Sequence, residues 1–402
     1  MKRSLSIYFY AVILHCFILF GCITKWEAKE TDEFAGILVV EGIITDDQSV
    51  IRLSQSKGLS YQDYGLDQSP YHVTDAKVYI ECDDGTQWGV TAQNSGEYTI
   101  ETGKLNPERQ YRLKIEHEKH EYLSEFACPM VTPEIDSVFW TKRGSNQPVN
   151  IHVATHVPDS MVQYCIWKYR EDWELRPYYA MDDDDECPIC GTFVGSMDNC
   201  PNCGFEIVRY PSFCWNKEFS REILIGSTEK TDGRLVEQLT QMRPTDIKLE
   251  ILYRIEVMQN AICKRAYDYF TNIKKNAQQT GGIFSQIPME LRGNMICTTD
   301  QSRTVIGYVD VSTVMRKKLW ITRLDDAFER ELFYCREYFY WELMRLFPNG
   351  VPLEYIYNGY AYVFISCVKC TYGGASIQSP DGWPDTKYFP YPNINENEGI
   401  YF

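Results

Sequence analysis

Positive charge is in short supply. Lys and Arg number 40 against 56 Asp and Glu, for a formal net charge of −16. A surface of that sign repels phosphate backbones, so nucleic acid is excluded as a partner. Long hydrophobic runs are missing too. The apolar stretch at residues 7–20 is about 14 residues long, and a membrane-crossing helix needs about 20. Histidine is rare, with six residues, one of them (His15) in that stretch. No G-x-S-x-G elbow, H-E-x-x-H helix or P-loop occurs, and there is no internal repeat or long low-complexity segment. Carboxylates are plentiful, yet no pair stands out as a glycosidase pair. No catalytic residue is therefore assigned, and the expectation is a non-enzymatic protein.

What is present begins at the N-terminus. Lys2 and Arg3 precede the apolar stretch, which ends in Leu19-Phe20-Gly21-Cys22. This is the layout of a secretory signal, and the Leu-x-Gly-Cys ending looks like a bacterial lipobox. Residues 1–21 then form a lipoprotein signal peptide. The mature chain starts at Cys22, whose thiol and new amino group carry acyl chains such as palmitate. More than one chain is needed, because a single chain binds a membrane only marginally. An uncleaved anchor or an ordinary cleaved signal is the alternative. Residues 22–33 are polar and read as a tether.

Residues 34–130 read as β throughout. Ala76, Val78 and Ile80 alternate with Lys77, Tyr79 and Glu81. Tyr111, Leu113 and Ile115 alternate with Arg112, Lys114 and Glu116. Short strands at such spacing predict an immunoglobulin-like or transthyretin-like β-sandwich. The 29 Tyr fit such strands better than an exposed aromatic face. Two prolines at 129–136 favour an extended linker, set at 131–140. Residues 141–402 then form a larger α+β domain. Strands are expected at 150–157, 163–173, 247–257, 304–310 and 319–322. Helices are expected from Cys263 onward, capped by Asn260 and ended by Gly281-Gly282, and over 328–346. The fold class is thus mainly β with an α+β second domain.

The strongest chemical signal is a pair of C-P-x-C-G knuckles, Cys187-Pro188-Ile189-Cys190-Gly191 and Cys200-Pro201-Asn202-Cys203-Gly204. Four thiolates from Cys187, Cys190, Cys200 and Cys203 make a tetrahedral site resembling zinc ribbons, in an insert at 186–205. A closed site of this kind is structural and leaves no open position for substrate. An S₄ site suits iron as well as zinc, and two disulfides or redox chemistry are the other readings. Of the 15 Cys, Cys16 leaves with the signal and Cys22 is lipidated. The remaining thirteen are odd in number, and an exported protein meets an oxidising compartment. Cys214 is expected to bond one of Cys367 and Cys370, joining the middle of the second domain to its end.

His152 and His156 are four apart on a predicted strand, about 13 Å at ~3.3 Å per residue, too far to share a metal. His117 and His120 flank a predicted hairpin tip at Glu118-Lys119 and are expected to be exposed.

Several stretches agree in order with one known family. They are residues 37–45 (ILVVEGIIT), Gly96-Glu97-Tyr98, Tyr111-Arg112-Leu113 and the P-x-I-D-S-V run at 133–138. Cys214-Trp215, Tyr267-Asp268-Tyr269-Phe270, Gly282-Ile283-Phe284, Ile287-Pro288 and Gly293-Asn294 follow. Val305-Ile306-Gly307-Tyr308, Cys367-x-x-Cys370 with Gly373-Gly374, and Pro380-Asp381-Gly382-Trp383 complete the set. The chain resembles the domain-of-unknown-function 4249 family of Bacteroidota lipoproteins over nearly its whole mature length. Gly382 departs from the family's P-D-F-W ending. The resemblance implies an outer-membrane lipoprotein of the kind often encoded beside TonB-dependent receptors, and it carries over no catalytic residue. The expected role is an accessory or ligand-binding partner of such a transporter, facing either the periplasm or the cell surface. A stand-alone glycan- or peptide-binding lipoprotein is the second reading, with Trp26, Trp88, Trp173 or Trp383 as platforms. An unrecognised hydrolase is the third.

Overall fold

Alternation of apolar and polar side chains governs the first third of the chain, as period-2 strands require. A computed structural model describes residues 36–46, 48–56, 71–90, 96–144, 147–157, 163–176, 201–202, 213–243, 246–279, 293–322, 339–348, 355–357, 362–364, 370–371 and 374–384. The protein is mainly β and is built from several sheets.

The N-terminal strands are β1 (Leu38–Glu41), β2 (Ile43–Thr45), β3 (Gln48–Gln55), β4 (Tyr71–His72), β5 (Lys77–Cys82), β6 (Gln87–Val90), β7 (Glu97–Glu101), β8 (Tyr111–His117) and β9 (His120–Ser124). β5 pairs antiparallel with β8 from Lys77↔Glu116 to Cys82↔Tyr111. That register puts Val78, Ile80, Leu113 and Ile115 on one buried face. Leu38, Val40, Ile51 and Leu53 of β1 and β3 belong to the same buried cluster, so two sheets share one core.

The hairpin between β8 and β9 turns on Glu118 and Lys119, both at positive φ (49° and 68°), which suits a tight two-residue turn. His117 is not exposed, contrary to expectation. It continues the inward face of Tyr111, Leu113 and Ile115, is buried, and its ring bonds Asp75 at 3.0 Å.

The next strands are β10 (Ile135–Thr141), β11 (Val149–His156), β12 (Tyr164–Leu175), β13 (Cys214–Phe219), β14 (Leu224–Ser227), β15 (Arg234–Met242) and β16 (Leu252–Ile262). Helix α1 (Lys264–Gln279) follows, then β17 (Met295–Cys297), β18 (Val305–Gly307), β19 (Asp310–Ser312) and β20 (Val314–Thr322). Much of the stretch read as a linker is strand β10, paired with β11. One sheet runs β10-β11-β15 and another runs β13-β12-β16-β20, with β14 also on β12. Val149, Ile151 and Val153 from the first meet Trp167, Tyr253, Ile255 and Leu319 from the second in one core.

Gln259 ties this core to the chain entering β10. Its buried amide oxygen accepts from Trp167 Nε1 (2.7 Å) and Thr155 Oγ1 (2.9 Å), while its nitrogen donates to the Pro133 carbonyl (2.7 Å).

Late strands return to early ones. β18 pairs parallel with β1, β19 with β2, and β17 antiparallel with β9. Residues 295–312 thus complete sheets that begin the chain. Asn294 secures this return by exchanging two hydrogen bonds with the Val309 backbone, at 2.7 and 2.8 Å.

Helix α1 buries Ala266 and Tyr269 against Ile166 and Ile262, and Cys263, Tyr267, Phe270 and Ile273, the face expected from 3.6-residue spacing, pack partly buried beside them. Asn260 does not cap it. That residue lies within β16, where its side chain donates to Ser312 and Thr313, and Cys263 precedes the helix instead. A second helix, α2, spans Tyr340–Leu346. Strands β21 (Tyr355–Tyr357) and β22 (Tyr362–Phe364) pair with each other.

Candidate functional site

Strand β12 carries Arg170-Glu171-Asp172-Trp173-Glu174, a run whose charges would suit a solvated face. The structure buries it instead. Asp172 and Glu174 are 0% exposed, and Glu171 and Arg254 are 2%. Buried charge persists only when paired and hydrogen-bonded, and each of these four residues meets that condition.

On the outer face of the sheet, Asp172 is held by two guanidinium groups. Arg254, directly across on β16, donates to Oδ2 through Nε (3.2 Å) and Nη2 (2.8 Å). Arg170 donates to Oδ1 at 2.9 and 2.6 Å. Arg254 spends its remaining nitrogen, Nη1, on the Asp381 carbonyl (2.7 Å). Its guanidinium carbon lies 5.2 Å from the Trp320 ring centroid and 5.5 Å from that of Trp383, within cation–π range. Glu174 accepts from Arg176 (2.7 Å) and from Trp383 Nε1 (3.3 Å).

The C-terminal residues reach this face through a turn. Trp383 N donates to the Pro380 carbonyl (3.0 Å), and Gly382 has φ +69°. Positive φ at the third turn position is the type II pattern, which favours glycine. The departure at Gly382 is therefore a backbone requirement of this turn, which presents the Asp381 carbonyl and the Trp383 ring to Arg254.

A disulfide between Cys214 and Cys370 anchors the same segment. Trp215 and Ser376 add a two-bond bridge beside it, each bond 2.8 Å.

On the inner face, Lys248 donates to Glu171 (2.7 Å) and Glu218 (2.8 Å) and sits 4.8 Å from the Trp173 ring. Tyr253 donates its hydroxyl to Glu171 at 2.6 Å. Burial pulls the Lys248 ammonium down, but the two carboxylates outweigh it and hold it above its ordinary pKa. The bond from Lys248 lowers Glu218. Burial, reinforced by Glu171, raises the Tyr253 phenol well above its usual range.

This cluster forms the floor of a polar cleft of about 450 Å³ between β12, β13 and β15. The walls include Tyr169, Phe219, Arg221, Gln238, Thr240 and Gln241. The cleft offers donors and acceptors of both signs on fixed strands, an arrangement suited to holding a polar ligand in one orientation.

Of the residues singled out in the sequence, the structure brings together Cys214 and Cys370. Cys22, Cys187, Cys190, Cys200, Cys203 and Cys367 lie outside the described residues, as does Trp26. Trp173 is buried, Trp383 packs edge-on against Trp320 at 5.0 Å, and Trp88 packs toward Tyr111 at 6.3 Å. Trp173 and Trp383 are thus spent on internal contacts. Sequence reading missed Glu171, Asp172, Glu174, Lys248 and Arg254. The available signal was Arg254, an arginine set between Tyr253 and Ile255 in a strand run.

A family model described as "Domain of unknown function (DUF4249)" matches residues 23–318, well over half of the chain. No curated protein matches. The matched stretch contains β12, Lys248 and Arg254 and ends before the turn at Pro380.

Proposed function

The chain belongs to the DUF4249 family, and on that premise we propose that it is a non-enzymatic, lipid-anchored outer-membrane protein that binds a ligand as an accessory partner of a TonB-dependent transporter. The observation that carries the ligand-binding part is the polar cleft floored by Glu171, Lys248 and Glu218. Its charged groups neutralise one another in place, which fits recognition and positioning. The Leu19–Cys22 lipobox supports the tether. Residues 34–130, whose two sheets share a core completed by strands at 295–307, are read as a β-sandwich that positions the larger α+β part. The twin C-P-x-C-G insert at 186–205 is read as a zinc-ribbon-like staple, with the metal held by Cys187, Cys190, Cys200 and Cys203.

Gentle detergent extraction of the tagged full-length protein from its own membranes, followed by mass spectrometry, tests the partnership. A TonB-dependent receptor recovered in stoichiometric amount supports the proposal. Recovery of the protein alone from well-solubilised membranes removes it and favours a stand-alone binding lipoprotein.

One observation favours the hydrolase reading: Glu171 and Glu218 both line the cleft. Against it, both carboxylates bond the same ammonium, and the lowered pKa of Glu218 keeps it ionised. A glycosidase acid needs the opposite shift.

A further inference from the structure

A second cavity lies where the N-terminal sheet meets the outer face of β12 and helix α1. It holds about 270 Å³. Val39 and Ile306 form one wall, and Phe270 and Ile273 of α1 form the other. Lys168 of β12 enters from the floor, half-buried. Its neighbours on the strand, Ile166 and Trp167, are buried apolar residues.

Every nearby cation except this one has a carboxylate within bonding distance. Arg52 pairs with Glu97 at 2.6 Å, and Arg221 lies 3.5 Å from Glu218. Among the described residues, no hydrogen bond or ion pair reaches Lys168 Nζ. The groups that act on it electrostatically are Arg52, which opposes its charge, and Glu41 and Glu97, which favour it at longer range. Burial lowers its pKa first, and Arg52 adds to that effect. Glu41 and Glu222, the acids of the lining, are exposed at the mouth.

An ammonium taken partly out of water beside apolar walls, with no counter-ion in contact, carries an uncompensated desolvation cost. One negative charge on an apolar body would remove that cost and fill the walls. We propose that this cavity binds a small molecule with a single carboxylate and a compact apolar or aromatic body, its carboxylate paired with Lys168 and its body packed against Val39, Ile306, Phe270 and Ile273. Arg52, already committed to Glu97, contributes long-range attraction. The site shares Arg221 and Glu222 with the lining of the polar cleft, is otherwise built from other residues, and needs no transporter partner.

The probe is 4-phenylbutyrate, with 4-phenylbutanol as the uncharged control, added to the full-length protein in a non-ionic detergent. The first readout is acylation of Lys168 by an amine-reactive reagent, followed by peptide mass spectrometry. Saturating phenylbutyrate is expected to slow Lys168 labelling at least tenfold, while phenylbutanol at the same concentration leaves it nearly unchanged. The second readout is titration calorimetry, in which Lys168→Met weakens phenylbutyrate binding at least tenfold without lowering the thermal midpoint. Lys168 labelling that phenylbutyrate leaves unaltered, or equal affinity in a folded Lys168→Met variant, overturns the proposal. If the variant does not fold, protection in the unmodified protein decides alone.

Discussion

Arg254 donates two hydrogen bonds to the same oxygen of Asp172, at 3.2 and 2.8 Å, with both residues fully enclosed between the central sheet and the C-terminal turn. Removing one partner leaves a buried charge with too little compensation, a change that costs about 3–5 kcal/mol. Arg254→Met and Asp172→Asn are each expected to lower unfolding stability by that order in chemical denaturation. The double variant Arg254→Met/Asp172→Asn should cost less than the sum of the two, and still more than nothing, because Arg170 and the Asp381 carbonyl lose partners. Fully additive losses would contradict a direct coupling between the two residues.

The Cys214–Cys370 disulfide closes a separation of 156 residues and pins the segment that supplies Trp383. Its loss through Cys370→Ser is expected to cost about 2–5 kcal/mol. Hydrogen exchange should rise first at Trp215 and Ser376, which bridge beside it, and at the 380–383 turn. Unchanged protection there would show that the ion cluster holds the segment without the disulfide.

Gly382 occupies positive φ with open space around it. An added Cβ meets no atom but must adopt a left-handed backbone, at about 1 kcal/mol. Gly382→Ala should therefore lower the thermal midpoint slightly and weaken the contact of Trp383 with Arg254, read as a change in near-ultraviolet circular dichroism. An unaltered midpoint would place the strain elsewhere.

The Lys248–Glu218 pair sets a pH window. The pKa of Glu218 is lowered from 4.5 in the folded chain, so its stabilising contribution is complete above 4.5 and is lost as pH falls through the lowered value. That of Lys248 is raised from 10.5, so its contribution is complete below 10.5 and is lost as pH rises through the raised value. Stability measured from pH 3 to 11 should show both losses, and Lys248→Met should flatten the alkaline one. An alkaline limb identical in that variant would contradict the assignment. Glu218 is partly exposed, so its acid loss is damped by solvent screening.

Protein purified from native membranes is expected to hold about one zinc per chain, with Cys187, Cys190, Cys200 and Cys203 as ligands. Chelation should open the 186–205 insert to proteolysis before the rest of the chain. Substoichiometric zinc, with all four thiols locked as disulfides, would remove the staple.

Much of the strand pattern was readable from the residues. The alternation at 76–81 and 111–116 gives β5 and β8, because one face of each is apolar and the other charged. The helical spacing of Cys263, Ala266, Tyr267, Phe270 and Ile273 gives the packed side of α1 but not Tyr269, which the structure buries beside Ala266. Pairing between distant segments was not readable. Nothing local to Val305 or Asp310 says that their partners are β1 and β2, since parallel pairing is fixed only by the whole fold. His117 read as a hairpin flank, although strand parity turned it inward.

The charge cluster was hidden for a related reason. Glu171, Asp172 and Glu174 look solvated until register sets Arg254 opposite Asp172 and the 3-10 turn at Ile247–Leu249 brings Lys248 beneath Glu171. Lys248 and Arg254 lie 77 and 82 residues from Glu171 and Asp172, beyond any local pattern, whereas Arg170 and Arg176 stand only two residues from Asp172 and Glu174. The glycine at 382 looked like a departure from a motif, and the turn geometry supplies its reason.

The proposed accessory role at the outer membrane presupposes that the chain is held there through Cys22. The direct measurement is mass spectrometry of the mature N-terminus after growth with a labelled fatty acid. The account predicts a chain beginning at Cys22 that bears labelled acyl groups, and an unlabelled Cys22→Ala variant lost from the membrane fraction. A mature protein that begins elsewhere without label, or keeps residues 1–21, would contradict it.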